Sequence, residues 1–266
     1  MSAIAPVLDL DLFGQSPDQR SIEILREWEP EGGYYSADSF GKDSCVCRDL
    51  LLRAGVKFDA HHNLTTIDPP ELIQFGRKHH PETIIERPQK SFWQYIREGK
   101  GLPMRNARWC CEELKEHGGE GRRVIVGVRA AESSKRAAQT MVQPCSKAGM
   151  NGKVLVKPIF FWTDEQVWEY IRRRELPYCS LYDEGWKRLG CVLCPFEANV
   201  ARAQERWPRM FEGLLRAVTV AYPTMESFHK FGSPEGVLEW WLDRTRSYPG
   251  GDDQQMVLDQ FGGDDQ

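Results

Sequence analysis

The 266-residue chain lacks an apolar run of the roughly 18 residues that a membrane-spanning helix requires. It also lacks a basic-then-apolar leader. Met1–Phe13 is short, mixed and acidic, so neither a membrane span nor a secretory signal is expected, and the expected location is the cytoplasm. Positive charge is not in excess: Lys and Arg total 35 against 39 Asp and Glu, a formal net charge of −4. That is the reverse of the balance in proteins that grip nucleic acid unaided by counterion release. Glycine and proline are too few, and apolar residues too many at 41%, for a collagen-like or disordered chain. No internal repeat is visible, and no cysteine follows Cys194, although eight occur up to that point. In a reducing compartment, eight cysteines favour metal binding or thiol chemistry over disulfides.

The chain reads as an N-terminal arm (1–30) with one short helix near 18–28, set outside the core. An α/β region (31–160), a helical part with a Gly- and Cys-punctuated loop (161–248) and a Gly/Asp-rich acidic tail (249–266) follow. Strands are expected at Gly33–Asp38, Val56–His62, Thr83–Ile85 and Arg123–Val128. Between them, Asp43–Ala54 has helical spacing with Gly55 as C-cap, and Pro69–Pro70 open a helix through Lys78. Further helical stretches fall around Phe92–Arg97 and Cys111–His117. Alternation of this kind predicts a mainly parallel sheet. Thr163 and Gln166 are spaced as a capping box, and Val200–Ala221 and Pro234–Asp243 read as helices.

Ser39-Phe40-Gly41-Lys42-Asp43-Ser44 lies between the first strand and its helix, where unpaired N–H groups and the helix dipole favour an anion. Gly41 permits close approach of backbone, Ser39 and Ser44 can donate, and Lys42 adds a point charge. Walker A spacing is absent. Cys110-Cys111 and Cys191-Val192-Leu193-Cys194 supply four soft thiolates, suited to zinc or to an iron–sulfur cluster; spacing does not choose between them. Cys45, Cys47 and Cys179 read as packed thiols. Cys145, in a loop-like segment, is a candidate reactive thiol. Trp162, Trp168, Trp186, Trp240 and Trp241 read mostly as packing rather than base platforms. His61-His62 and His79-His80 lack a third metal ligand in a recognisable spacing.

The Ser39–Ser44 string matches the SxGxDS signature of the PP-loop ATP pyrophosphatases. Further segments, in order, resemble the phosphoadenylyl-sulfate (PAPS) reductase family within that superfamily. They include Asn63-Leu64-Thr65-Thr66, Arg108-Trp109-Cys110-Cys111, Gly127-Val128-Arg129-Ala130-Ala131-Glu132-Ser133 with Arg136, Leu181-Tyr182-Asp183-Glu184-Gly185 and Gly190-Cys191. Together they span about 34–197.

This resemblance implies a Rossmann-like, HUP-type sheet flanked by helices, with a C-terminal helical part carrying a metal-cluster loop. It implies that Ser39, Gly41, Lys42, Asp43 and Ser44 bind the triphosphate of ATP with Mg²⁺. Asn63, Thr65 and Thr66 would contact adenine and ribose, and Arg129 and Arg136 would bind phosphate or sulfate oxygens. Lys42, Asp43 and Arg129 are the expected catalytic residues. Cys110, Cys111, Cys191 and Cys194 would hold a [4Fe–4S] cluster. The family's sulfonucleotide reductases carry their nucleophile in a C-terminal Glu-Cys-Gly motif, and the 72 residues after Cys194 contain no cysteine. The pattern is closest to the sulfur-transfer proteins of DNA phosphorothioate modification, which use a cysteine desulfurase and further modification proteins as partners. DNA would then be presented by a partner, with Lys100, Arg105, Arg108, Lys115, Arg122 and Arg123 as a candidate basic lining. The alternatives are an adenylyl-sulfate or phosphoadenylyl-sulfate reductase and a non-catalytic scaffold.

Overall fold

The computed structural model describes residues 14–145, 152–197 and 199–243; the start of the expected arm and the whole acidic tail lie outside the described residues. In chain order the elements are α1 (Pro17–Glu27), β1 (Tyr34–Ala37), α2 (Lys42–Ala54), β2 (Phe58–Asn63), α3 (Pro70–His79) and β3 (Ile84–Glu86). Then come α4 (Phe92–Tyr95), α5 (Trp109–Leu114), β4 (Arg123–Ile125), α6 (Ser134–Ala137), β5 (Val142–Pro144), β6 (Val154–Val156) and α7 (Asp164–Arg173). The described chain closes with α8 (Val200–Arg206), α9 (Pro208–Ala221), α10 (Glu226–His229) and α11 (Pro234–Leu242). No helix among the described residues is long and apolar enough to cross a membrane.

Two compact units form. The first comprises the chain up to His62, Pro70–Glu86 and Gly118–Leu189; the second comprises Asn63–Pro69, Arg87–His117 and the chain from Gly190. This differs from the expected division near residue 160. Val167, Tyr170 and Ile171 of α7 pack in one cluster with Val46, Leu50 and Leu51 of α2, which keeps α7 in the first unit.

The first unit carries a six-stranded sheet of order β3-β2-β1-β4-β6-β5. β1 pairs in parallel with β2 and β4, and β4 with β6; β5 is an antiparallel edge. Tyr34, Tyr35 and Ser36 of β1 are all buried, as a central parallel strand covered on both faces requires. β1 has β2 on one side and β4 on the other, so strand order reverses there. The turns leaving β1 and β4 therefore flank the switch point of the sheet. Strands β5 and β6 are additional to the four strands expected from the sequence.

Helix α1 corrects the reading of 1–30 as an arm outside the core. Ile24 and Leu25 are buried in the same cluster as Val46, Ile125 and Val156, and Tyr34 Oη donates to Leu25 O at 2.8 Å. The capping box of α7 forms as expected: Gln166 N donates to Thr163 Oγ1 at 3.2 Å and Thr163 N to Gln166 Oε1 at 2.9 Å. Gly55 ends α2 in the left-handed region at φ 70°.

In the second unit the expected single helix 200–221 is two, α8 and α9. Pro208 has no N–H to continue the ladder, and Trp207 before it leaves the helical region at φ −129°, ψ 57°. Phe92 stacks on Trp109 at 5.5 Å, and Trp241 Nε1 donates to Pro103 O at 2.8 Å. Trp162, Trp186, Trp240 and Trp241 are buried, consistent with packing.

Candidate functional site

The Ser39–Ser44 loop leaves β1 at the switch point and runs into α2, with Gly41 as N-cap. Its shape is set from beneath. Phe40 takes a left-handed φ of 59°, a conformation that costs a non-glycine residue free energy and persists only when its surroundings fix it. They do so here. Phe40 N donates to Asp38 Oδ1 at 2.8 Å, and the fully buried ring stacks on His62 at 4.2 Å. Gly76 of α3 leaves room for that ring, since a Cβ there would lie 2.4 Å from it. Asp38 in turn pairs with His80 at 2.8 Å. Burial alone would raise the Asp38 carboxyl, but His80, the Phe40 N–H and the Ser44 hydroxyl outweigh it and hold the group below its ordinary value. His61-His62 and His79-His80, unpromising as metal ligands, thus include two residues that fix the loop.

Above the loop, four charged side chains close into a ring. Lys42 Nζ lies 3.0 Å from Asp43 Oδ2 and 2.8 Å from Asp164 Oδ1. Arg129 Nε lies 2.6 Å from Asp43 Oδ1, and its Nη2 lies 2.8 Å from Asp164 Oδ1. The cations are buried, while the Asp43 and Asp164 side chains are 23% and 53% exposed. Burial would lower the Arg129 guanidinium, yet the two carboxylates more than compensate and it is raised. Gly127, just beyond β4, permits this approach: a Cβ there would meet Asp43 backbone C at 3.1 Å.

Ser39, Gly41, Lys42, Asp43, Ser44 and Arg129 are therefore brought together. The serine hydroxyls are engaged within the loop: Ser39 Oγ donates to Ser44 Oγ at 3.3 Å, and Ser44 Oγ to Gly41 O at 2.9 Å. Arg136 stands one step away, paired with Glu132, whose Oε2 also accepts from Arg129 N at 3.0 Å. Sequence reasoning missed Asp164 and Tyr182. Asp164 is the first residue of α7 after the Thr163 cap, where an acidic residue is ordinary helix chemistry, so its role carried no separate signal. Tyr182 Oη accepts from Lys42 N at 3.0 Å, across 140 positions of sequence.

Asn63, Thr65 and Thr66 belong to the second unit, where their side chains are engaged. Asn63 Nδ2 donates to the carbonyls of Lys115 and His117, both at 2.9 Å. Thr65 Oγ1 lies 3.4 Å from Cys191 Sγ, and Thr66 Oγ1 accepts from Phe92 N at 3.0 Å.

The same unit holds the two cysteine pairs. Cys110 and Cys111 sit in the first turn of α5; Cys191 and Cys194 flank a turn pinned by Val192 N donating to Ile67 O at 2.8 Å. All eight cysteines are among the described residues and none is in a disulfide. The hydrogen bond within the first pair pushes Cys110 up and Cys111 down to about 6, with Arg108 and Lys115 also lowering Cys111. Charges on Cys191 and Cys194 raise Cys110 further, so the four thiols share one electrostatic neighbourhood. Burial raises Cys191 to about 11 against the opposing charge of Lys115, which is itself raised chiefly by Cys191. Among the described residues no group of three or more His, Cys, Asp or Glu side chains is arranged to hold a single metal ion. Cys45, Cys47 and Cys179 are buried, as packed thiols should be.

Of the candidate basic residues, Arg122 pairs with Asp59, Arg123 donates to Trp28 O at 2.7 Å, Lys100 pairs with Glu113 at 3.0 Å, and the Cys191 thiolate raises Lys115. Arg105 and Arg108 instead lie over the exposed Phe196 ring, 5.9 and 5.4 Å from its centre.

A mainly parallel sheet with a Ser/Gly loop and two buried cations at its switch point is the PP-loop type of α/β fold. A Candida auris phosphoadenylyl-sulfate reductase, solved as a phosphate complex, shares that fold: TM-score 0.51 at 20% identity, covering 68% of this chain and 90% of that one. The chain belongs to the phosphoadenosine phosphosulfate reductase domain family, whose model matches residues 34–197. A Gloeobacter violaceus phosphoadenosine 5'-phosphosulfate reductase is 31% identical over 210 residues, 69% of this chain and 86% of that protein. An uncharacterized Methanocaldococcus jannaschii protein is 29% identical over 191 residues; the match takes in 66% of this chain and only 39% of that longer relative.

Proposed function

We propose that this family member binds ATP at the Ser39–Ser44 loop and uses it to activate an acceptor for sulfur transfer, releasing pyrophosphate. The ring of Lys42, Asp43, Arg129 and Asp164 carries the reading. A bare sulfonucleotide anion entering it would face two carboxylates as well as two cations. A Mg²⁺–triphosphate suits both: phosphate oxygens take the Lys42 and Arg129 donors, while hard carboxylate oxygens from Asp43 and Asp164 face the metal. Arg136 would reach phosphate oxygens on release from Glu132. In the step itself an acceptor oxygen attacks the α-phosphorus, the bond to the β-phosphate oxygen breaks, and pyrophosphate leaves. The outer sulfur of a persulfide then attacks the activated phosphorus and displaces AMP, and an external thiol reduces the resulting S–S bond to leave sulfur on the acceptor.

The adjacent Cys-Cys pair and the distant Cys-x-x-Cys pair supply four thiolates that suit a [4Fe–4S] cluster, with tetrahedral zinc as the alternative. Cys110, Cys111, Cys191 and Cys194 would hold it, and bound there it would supply a sulfur-rich redox centre. Lys115 would offset part of its negative charge. The sulfur donor would be a cysteine desulfurase. The acceptor could be a DNA phosphate handed over by a partner protein, since a net charge of −4 does not favour unaided DNA binding.

The name of the Gloeobacter relative favours a second reading, reduction of adenylyl sulfate or its 3'-phosphorylated form. Cys145, beside the β5 edge, is the thiol outside the two pairs and the buried set that would serve it. One assay separates the two. Protein incubated with ATP, Mg²⁺ and a persulfide donor should release pyrophosphate once acceptor is supplied. Sulfite from either sulfonucleotide with thioredoxin, at useful turnover, would overturn the ATP reading.

A further inference from the structure

We propose that Tyr182 is a phosphate-binding member of the loop: its oxygen accepts the Lys42 backbone N–H, and its own hydroxyl hydrogen meets the phosphate chain. This rests on the nucleotide reading above and adds a residue to it. In an anion loop of this kind the N–H groups at the helix start are the natural donors. Here one is already spent, because Lys42 N donates to Tyr182 Oη at 3.0 Å. The hydroxyl also lies over the barest point of the loop: a Cβ on Gly41 would stand 3.3 Å from it. A side chain at 41 would therefore meet the phenol before it met any ligand.

A hydroxyl has one hydrogen and two lone pairs. One lone pair is taken by the Lys42 N–H, and the hydroxyl hydrogen has no acceptor among the described residues. Burial pushes the phenol well above its ordinary range, so that hydrogen stays in place at neutral pH. The ring is held independently of any ligand. Trp168 of α7 meets it edge to face at 5.2 Å and 85°, and Tyr178 lies 6.4 Å away. Tyr182 N donates to Cys179 O at 3.1 Å, closing the short 3-10 turn Ser180–Tyr182, and Leu181 is fully buried beneath it. A donor set this firmly before the ligand arrives favours groups that only accept, such as phosphate oxygens.

The test uses the full chain and calorimetric binding of ATP, inorganic pyrophosphate and adenosine. Tyr182→Phe keeps the ring and removes the hydroxyl. It should weaken ATP and pyrophosphate by about tenfold, the usual loss for a hydrogen bond to a charged group, with adenosine binding unchanged; the Lys42 N–H left without its acceptor should lower the thermal midpoint modestly. 3-Fluorotyrosine placed at 182 reports within the native fold: its fluorine resonance should shift on pyrophosphate and not on adenosine. Affinities in Tyr182→Phe within twofold of the parent, or equal weakening of adenosine and ATP, would overturn the proposal. Were the parent to bind neither ATP nor pyrophosphate, the nucleotide reading would fall first.

Discussion

Asp43 and Arg129, 86 positions apart, are joined by a 2.6 Å bond from Nε to Oδ1 at the switch point of the sheet. The pair couples the start of α2 to the turn beyond β4, and Asp164 closes the circle from α7. Each cation therefore touches two carboxylates, and each carboxylate two cations. In the absence of ligand the ring is neutral.

Removing one carboxylate leaves two buried cations sharing the other. Asp43→Ala should lose about 3 kcal/mol of stability, because breaking a buried pair strands its partner. Asp43→Asn, which keeps the shape, should cost less stability while lowering pyrophosphate release about 100-fold or more. Thermal unfolding alongside a pyrophosphate-release assay separates the two effects. Full turnover in Asp43→Asn would refute the role given to the ring.

Gly127→Ala should be damaging without touching any charge. The added methyl meets Asp43 at 3.1 Å, so either α2 or the turn beyond β4 must move by a few tenths of an ångström. We expect about a tenfold loss in kcat/KM for ATP from the misplaced carboxylate, with about 1 kcal/mol of destabilisation. Steady-state kinetics and a melting curve check this.

The loop should loosen in acid. Against the cost of burial, the Asp38 carboxyl is held below its ordinary value in the folded protein, chiefly by His80 and the Phe40 N–H, and returns to about 3.9 when unfolded. Its contribution is thus fully present above the unfolded value and is lost as pH falls through the folded one. Melting points between pH 3 and 7 should drop on the acid limb. Asp38→Asn should be less stable at pH 7 and show a flatter acid limb; an unchanged slope would count against this pair.

Anaerobically purified protein should contain about four irons and matching sulfide, with a brown absorption spectrum. Serine at Cys110 or Cys191 should abolish the iron, while Cys179→Ser should retain it. A colourless protein with one bound zinc would exchange the cluster for the simpler metal.

Much of the frame was legible without coordinates. The strand–loop–helix unit at 34–54, the caps at Gly55 and Thr163 and the burial of Cys45, Cys47 and Cys179 all rest on local spacing, which is written in the chain. What was misread depended on distant partners. The helix of α1 has an acidic, polar surround, and only its packing against α2 shows that Leu25 is core.

The sequence by itself determined that a Ser/Gly loop precedes a helix, that two cysteine pairs exist, and that the chain is a PP-loop relative of the PAPS reductases. Tertiary structure decided which charges meet there. Asp164 and Tyr182 reach the loop from 122 and 140 positions beyond Lys42. Local sequence encodes backbone conformation through near-neighbour sterics, whereas ion pairs and hydroxyl contacts form wherever the folded sheet brings distant turns together.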